Sequence, residues 1–179
     1  MGVFEESKGR LKQAIGYIPP DPSPSGAVEI FISYAREDVG MQERLLTHLS
    51  RLRRQGVATT WTDREIAPGE KWRSSINARL EAADIILLLV SADFINSDYC
   101  WDVEVKRALR RQAEGTARVI PVILRECDWK SLPFGELQAV PQSPISAWSD
   151  QDAAFAEVAR AIGAVINEVQ TSDWSQREA

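Results

Sequence analysis

The most apolar run of the chain is Ile85-Ile86-Leu87-Leu88-Leu89-Val90, bounded by Asp84 and Ser91. A short, wholly apolar stretch between polar residues reads as a strand buried on both faces of a sheet. Val28-Glu29-Ile30-Phe31-Ile32-Ser33-Tyr34 reads as a strand before it and Val57 to Trp61 as a shorter one. Ala117 to Leu124 reads as a fourth strand, with Pro121 placing it near a sheet edge or at a bulge, and Pro144 to Trp148 as a short fifth. Helical spacing fills the gaps. Leu45, Leu46, Leu49 and Leu52 follow Asp38 in the N-cap position and stop at Gly56. Trp72 to Ala82 turns Ile76 and Leu80 inward, and a helix from Trp101 gathers Val105, Ala108 and Leu109 on its apolar face. A last helix, capped by Ser149 or Asp150, aligns Phe155, Val158, Ile162, Val165, Ile166 and Val169. Strands alternating with helices in this way predict a parallel α/β sheet covered on both faces.

The pattern thins toward the ends. Residues 1 to 17 carry only a sparse stripe, Phe4, Leu11, Ala14 and Ile15. The stretch Pro19-Pro20-Asp21-Pro22-Ser23-Pro24 holds four prolines in six residues and reads as a stiff linker. The predicted division is a tail and Pro-rich linker over 1–27, one domain over 28–168 and a C-terminal tail over 169–179. An apolar share of 44% in 179 residues suits a single core. A net charge of -5 argues against a general nucleic-acid binder. Cys100 and Cys127 match neither a metal-binding spacing nor a disulfide framework, so no metal is expected and a reducing cytoplasm is the simplest compartment. No run approaches the roughly 20 apolar residues of a membrane span, and the first residues hold no apolar signal core.

Several segments, in order, resemble the Toll/interleukin-1 receptor (TIR) domain family in its bacterial form. They are Glu29-Ile30-Phe31-Ile32-Ser33-Tyr34, Trp61-Thr62-Asp63-Arg64-Glu65-Ile66-Ala67-Pro68-Gly69, Leu89-Val90-Ser91-Ala92-Asp93-Phe94 and Tyr99-Cys100-Trp101-Asp102-Val103-Glu104. Ile120-Pro121-Val122-Ile123-Leu124 and Pro144-Ile145-Ser146-Ala147-Trp148 fit the later strands. The resemblance implies a flavodoxin-like, five-stranded parallel sheet. It implies one of two activities: assembly as a signalling adaptor, or cleavage of the nicotinamide–ribose bond of NAD, as in bacterial effectors that deplete NAD after phage infection. For the enzyme it implies NAD+ as substrate with no separate cofactor. The implied partners are other TIR domains, in a homo-oligomer or filament, and a sensor that is separate or fused.

The family's catalytic glutamate lies early in the third helix, and the matching residue is Glu104. The family spacing W/Y-C-x-x-E is one residue longer here, since three residues separate Cys100 from Glu104. Helix geometry separates Glu104 from the other candidate, Asp102. Asp102 and Lys106 have the spacing of a surface ion pair, whereas Glu104 sits at the margin of the apolar face beside Trp101 and Ala108. The plain alternative pairs Glu104 with Arg107 or Arg111. One carboxylate suits the implied chemistry. Nicotinamide leaves a cationic pyridinium as a neutral molecule, so no general acid is needed, and the remaining ribosyl cation is what a carboxylate stabilises.

The expected substrate-binding residues are Tyr34, Arg36, Asp63, Trp72, Ser91, Asp93 and Tyr99. Most lie on loops at the carboxyl edge of the sheet, where open α/β sheets bind ligands. Arg36 suits a pyrophosphate as a fork of donors, or else a salt bridge with Glu37 or Asp63. Trp72 stacks on a base or a neighbouring subunit, or packs in the core. Ser91 and Asp93 fit the nicotinamide end, or serve only as loop residues. Trp61, His48 and Cys100 read as structural. There is no G-x-G-x-x-G, so an NAD site would not be of the Rossmann kind.

Overall fold

The computed structural model describes residues 26–177, with side chains through residue 171. The sparse apolar stripe of residues 1 to 17 and the Pro-rich linker after it lie outside the described residues. In chain order the elements are β1 (Val28–Ser33), α1 (Val39–His48), α2 (Ser50–Arg54), β2 (Ala58–Trp61), α3 (Trp72–Ala82), β3 (Ile85–Val90), α4 (Ala92–Asn96), α5 (Lys106–Ala113), β4 (Arg118–Ile123) and α6 (Gln151–Arg177). A π-helical turn, Cys100–Val105, leads directly into α5.

The four strands pair in parallel in the order β2-β1-β3-β4. β3 is buried at every position because it is central and both its faces are covered. Alternate residues serve opposite cores. Ile30, Ile32, Leu87, Leu89, Val122 and Leu124 face α1, α2 and α6 through Leu45, Leu49, Leu52, Phe155, Val158 and Ile162. Phe31, Ile86, Leu88, Val90 and Ile123 face α3, α4 and α5 through Ile76, Leu80, Phe94 and Ala108. This is the period-2 alternation of a strand serving two helical layers at once.

Local chemistry accounts for the punctuation. Asp150 caps α6 by accepting from the amides of Asp152 and Ala153 at 3.0 and 3.2 Å. In the loop after β2, Pro68 and Gly69 occupy the middle of a turn closed by Glu70 N to Ala67 O at 3.1 Å, with Gly69 at φ 91°. Thr62 and Glu65 form a reciprocal capping box in the same loop.

Two expectations are corrected. The sheet has four strands, not five, because Ile145–Ala147 forms a 3-10 turn where a fifth strand was expected. Among the described residues only Val140 bridges to the outer edge of β4, donating to Pro121 O at 3.0 Å and accepting from Ile123 N at 3.2 Å. Pro141 and Pro144 follow it, and neither can donate a ladder hydrogen bond. The carbonyl of Pro121 points to this outer edge, so its missing N–H costs β4 no bond to β3. α6 continues past residue 168 to Arg177, with Val169 packed against the core. Asp38 does stand before α1, but its side chain makes no cap hydrogen bond and is used elsewhere.

Candidate functional site

Parallel strands bring the loops after β1, β2 and β3 to one edge, and a cleft of about 380 Å³ opens there. Tyr34, Arg36, Asp63, Trp72, Asp93, Tyr99 and Glu104 all line it, so the edge collects seven of the eight expected site residues. Ser91 is the exception. It is fully buried, caps α4 by accepting from Phe94 N at 3.1 Å, and donates to Asp38.

Glu104 is 5% exposed, on the π-helical turn. Neither arginine of the plain alternative reaches it. Arg107 pairs with Glu81 at 3.3 Å, and Arg111 donates to the carbonyls of Leu80 and Ala83, both at 2.6 Å, and of Thr116 at 2.7 Å. Asp102 makes the expected surface pair with Lys106 at 2.7 Å. Among the described residues the one hydrogen bond to Glu104 comes from the buried hydroxyl of Ser33, at the carboxyl end of β1. Burial pushes the Glu104 carboxyl up to about 7; the Ser33 hydrogen bond pulls it down, and the charge of Asp63 adds to the rise.

The π-helical turn explains the spacing. An extra residue in a regular α-helix would swing everything after it by about 100°. A π-helical turn closes its hydrogen bonds over one more residue and so absorbs an insertion locally. Glu104 therefore faces the cleft even though three residues, not two, separate it from Cys100.

Aromatic rings form one part of the cleft wall, beside a polar remainder. Trp72 is 37% exposed and tilts against Tyr99, with ring centroids 4.3 Å apart. The Tyr99 hydroxyl is buried without a hydrogen-bond partner, and burial together with nearby Glu104 pushes its pKa up to about 12. Tyr34 donates to Asp63 at 2.8 Å, tying the loop after β1 to the loop after β2; burial and that bond raise its pKa. Arg36 is exposed and makes no ion pair with Glu37 or Asp63 among the described residues, which leaves its guanidinium at the mouth of the cleft. Asp93 is held by Arg125, which also grips buried Asp38 at 2.7 Å.

The residues read as structural are so placed. Trp61 stacks on Phe31 at 5.4 Å, His48 stacks on Phe155 at 5.6 Å, and the Cys100 thiol donates to Tyr34 O at 3.6 Å. Burial, with Glu104 nearby, pushes that thiol up to about 11, which keeps it protonated and unreactive at neutral pH. Sequence reasoning missed Ser33 and Arg125 as participants. Ser33 carries a signal, being the one hydroxyl in the apolar run of β1; Arg125 carries none beyond its position just past β4.

Comparison with known proteins agrees with this architecture. A protein of Sinorhizobium fredii (strain NBRC 101917 / NGR234), the uncharacterized protein y4lF, is 52% identical over 135 residues. That match covers 74% of this chain and 42% of the relative, so the chain spans less than half of the relative's length. The crystal structure of the TIR domain of the Toll-related receptor TRR-2 from Hydra magnipapillata superposes with a TM-score of 0.53 at 22% identity. It covers 77% of this chain and 97% of that domain, a likeness of fold. The TIR domain family is matched over residues 30–159, and with the parallel sheet and its edge cleft already in place, the chain belongs to the TIR domain family.

Proposed function

We propose that this TIR domain cleaves the nicotinamide–ribose bond of NAD+. The observation that carries the reading is Glu104: a buried carboxyl lining the cleft, with no cation beside it among the described residues. A structural carboxylate at such a depth is ordinarily paired, because burying a lone charge is costly. The cation that Glu104 lacks in the protein is what the substrate brings, first as the nicotinamide pyridinium and then as the ribosyl oxocarbenium ion.

In this scheme the bond between ribose C1′ and the pyridinium nitrogen breaks, and its electron pair leaves on neutral nicotinamide. Ionised Glu104 stabilises the positive charge left on the ribose. Water adds to C1′, and its proton passes to Glu104 or to solvent, giving ADP-ribose; attack by the adenine of the same molecule gives a cyclic isomer. Trp72 and Tyr99 offer a stacking wall for the nicotinamide, and Arg36 a fork of donors for the pyrophosphate.

TIR domains typically associate with one another, and assembly completes the proposal. Asp63 and Trp72, at the two ends of the loop from Thr62 to Lys71, line the 380 Å³ cleft, so a neighbouring domain packed on that loop would stand beside the bound dinucleotide. In the cell the domain would act as an anti-phage effector switched on by a sensor, separate or fused. The experiment is incubation of purified protein with NAD+ over a wide dilution series, measuring free nicotinamide. Release should rise faster than linearly with protein concentration. No release at any concentration, with or without a crowding agent, rejects the enzyme. It would favour the second reading, a non-catalytic association module or a mimic of host adaptors, which exposed Trp72 at 37% supports.

A further inference from the structure

We infer that Ser33 is a positioning residue for Glu104: its buried hydroxyl fixes one carboxylate oxygen and leaves the other to face the cleft. The role rests on Glu104 acting in the reaction proposed above. Ser33 is 1% exposed and lies at the end of β1, a strand held on both sides by β2 and β3. It is therefore anchored to an inner strand of the sheet, whereas Glu104 rides on a π-helical turn. Its Oγ donates to Oε2 of Glu104 across 71 residues of sequence. Oε1 has no hydrogen-bond partner among the described residues, and Glu104 lines the cleft.

The neighbourhood leaves Ser33 alone in this task. The titratable groups near Glu104 are Asp63 from the turn after β2, with Tyr99 and Cys100 from the approach to the π-helical turn. None is a cation, and the negative charge of Asp63 opposes ionisation of Glu104. Cys100 has its thiol turned to the carbonyl of Tyr34, and Tyr34 has its hydroxyl on Asp63. A hydroxyl that donates to a carboxylate favours the ionised form, and a donor fixed to a rigid strand also sets the direction of the free oxygen. Ser33 thus sets both the aim of Glu104 and the pH at which it becomes usable.

The test compares the wild-type protein with Ser33→Ala and Ser33→Thr. Carboxyl-carbon NMR follows the titration of Glu104, and steady-state kinetics follow nicotinamide release against pH. Loss of a hydrogen bond to a charged group predicts a kcat about tenfold to hundredfold lower in Ser33→Ala, with KM little changed. The acid limb of kcat/KM and the NMR midpoint should both move to higher pH, and Ser33→Thr should return both toward wild type. Ser33→Cys, nearly isosteric and a weaker donor, carries the same comparison if either variant loses the fold. An NMR midpoint that stays in place in a folded Ser33→Ala or Ser33→Cys protein overturns the inference, whatever the kinetics. If no variant releases nicotinamide but the midpoint moves, the coupling stands and only the NAD-cleaving reading falls.

Discussion

Two buried carboxylates stand at the carboxyl edge of this sheet, and they have opposite surroundings. Asp38, 3% exposed, accepts from the Ser91 hydroxyl and from Arg125 through both Nε at 3.1 Å and Nη2 at 2.7 Å. Glu104, 5% exposed, has Ser33 and, among the described residues, no cation. Asp38 joins three loops, through Ser91 after β3 and Arg125 after β4, and Arg125 extends the clip to Asp93. Its charge is used up in holding the edge together. Glu104 meets one hydroxyl, that of Ser33, and its charge has no cation to balance it among the described residues. The same residue class at the same depth thus does scaffolding when an arginine meets it and is available for chemistry when none does.

Substitution should separate the two most sharply. Glu104→Ala should reduce nicotinamide release by about three orders of magnitude, on the scale of losing a main transition-state stabiliser, while circular dichroism stays unchanged. Asp38→Asn should do the reverse in kind. Arg125 is 39% exposed, so solvent screens the pair, and the expected loss is about 2 kcal/mol in urea unfolding, below that of a fully buried pair. A dead Asp38→Asn enzyme of normal stability, or an unfolded Glu104→Ala, would dissolve the comparison.

A second contrast is in stability against pH. The folded-state value of Glu104 lies above that of the unfolded chain, so its contribution is present below about pH 4.5 and lost as pH rises through about 7. Glu104→Gln keeps the shape and the Ser33 bond but never ionises. At pH 8 it should be more stable than wild type by up to about 3 kcal/mol, the two converging near pH 4. Equal urea midpoints at pH 8 would mean that the ionised carboxylate costs the fold nothing. The smallest effect is expected at Asp102, whose pair with Lys106 is solvent-exposed: Asp102→Ala should keep NAD cleavage within about twofold of wild type.

The sequence made legible whatever depended on local periodicity. β3 and α3 have the ends their patterns predict, Ile85–Val90 and Trp72–Ala82. The layers followed from alternation, and seven of the residues that the family resemblance and their place near the strand ends had named line one cleft. What was hidden is pairing at long range. Ser33 meets Glu104 over 71 positions, and Arg125 meets Asp38 over 87, with no local pattern to announce either. Ser91 looked like a loop residue free to face a ligand, but the Asp38 carboxylate and the Phe94 amide draw it into the interior. The fifth strand misled because apolar Ile145 and Trp148 suit a strand, while the prolines beside them deny it a ladder.

The π-helical turn also bears on how such a chain can change through descent. An inserted residue in a helix ordinarily rotates all that follows and forces the packing behind it to be rebuilt in one step. Measured against the spacing that the family resemblance implies, the longer step from Cys100 to Glu104 lies within Cys100–Val105, and α5 beyond it still seats Ala108 on the sheet. The helix behind the cleft is thereby insulated from length changes in front of it. A lineage carrying this turn can gain or shed a residue beside Glu104 through a single event, without passing through an ancestor whose core is misassembled.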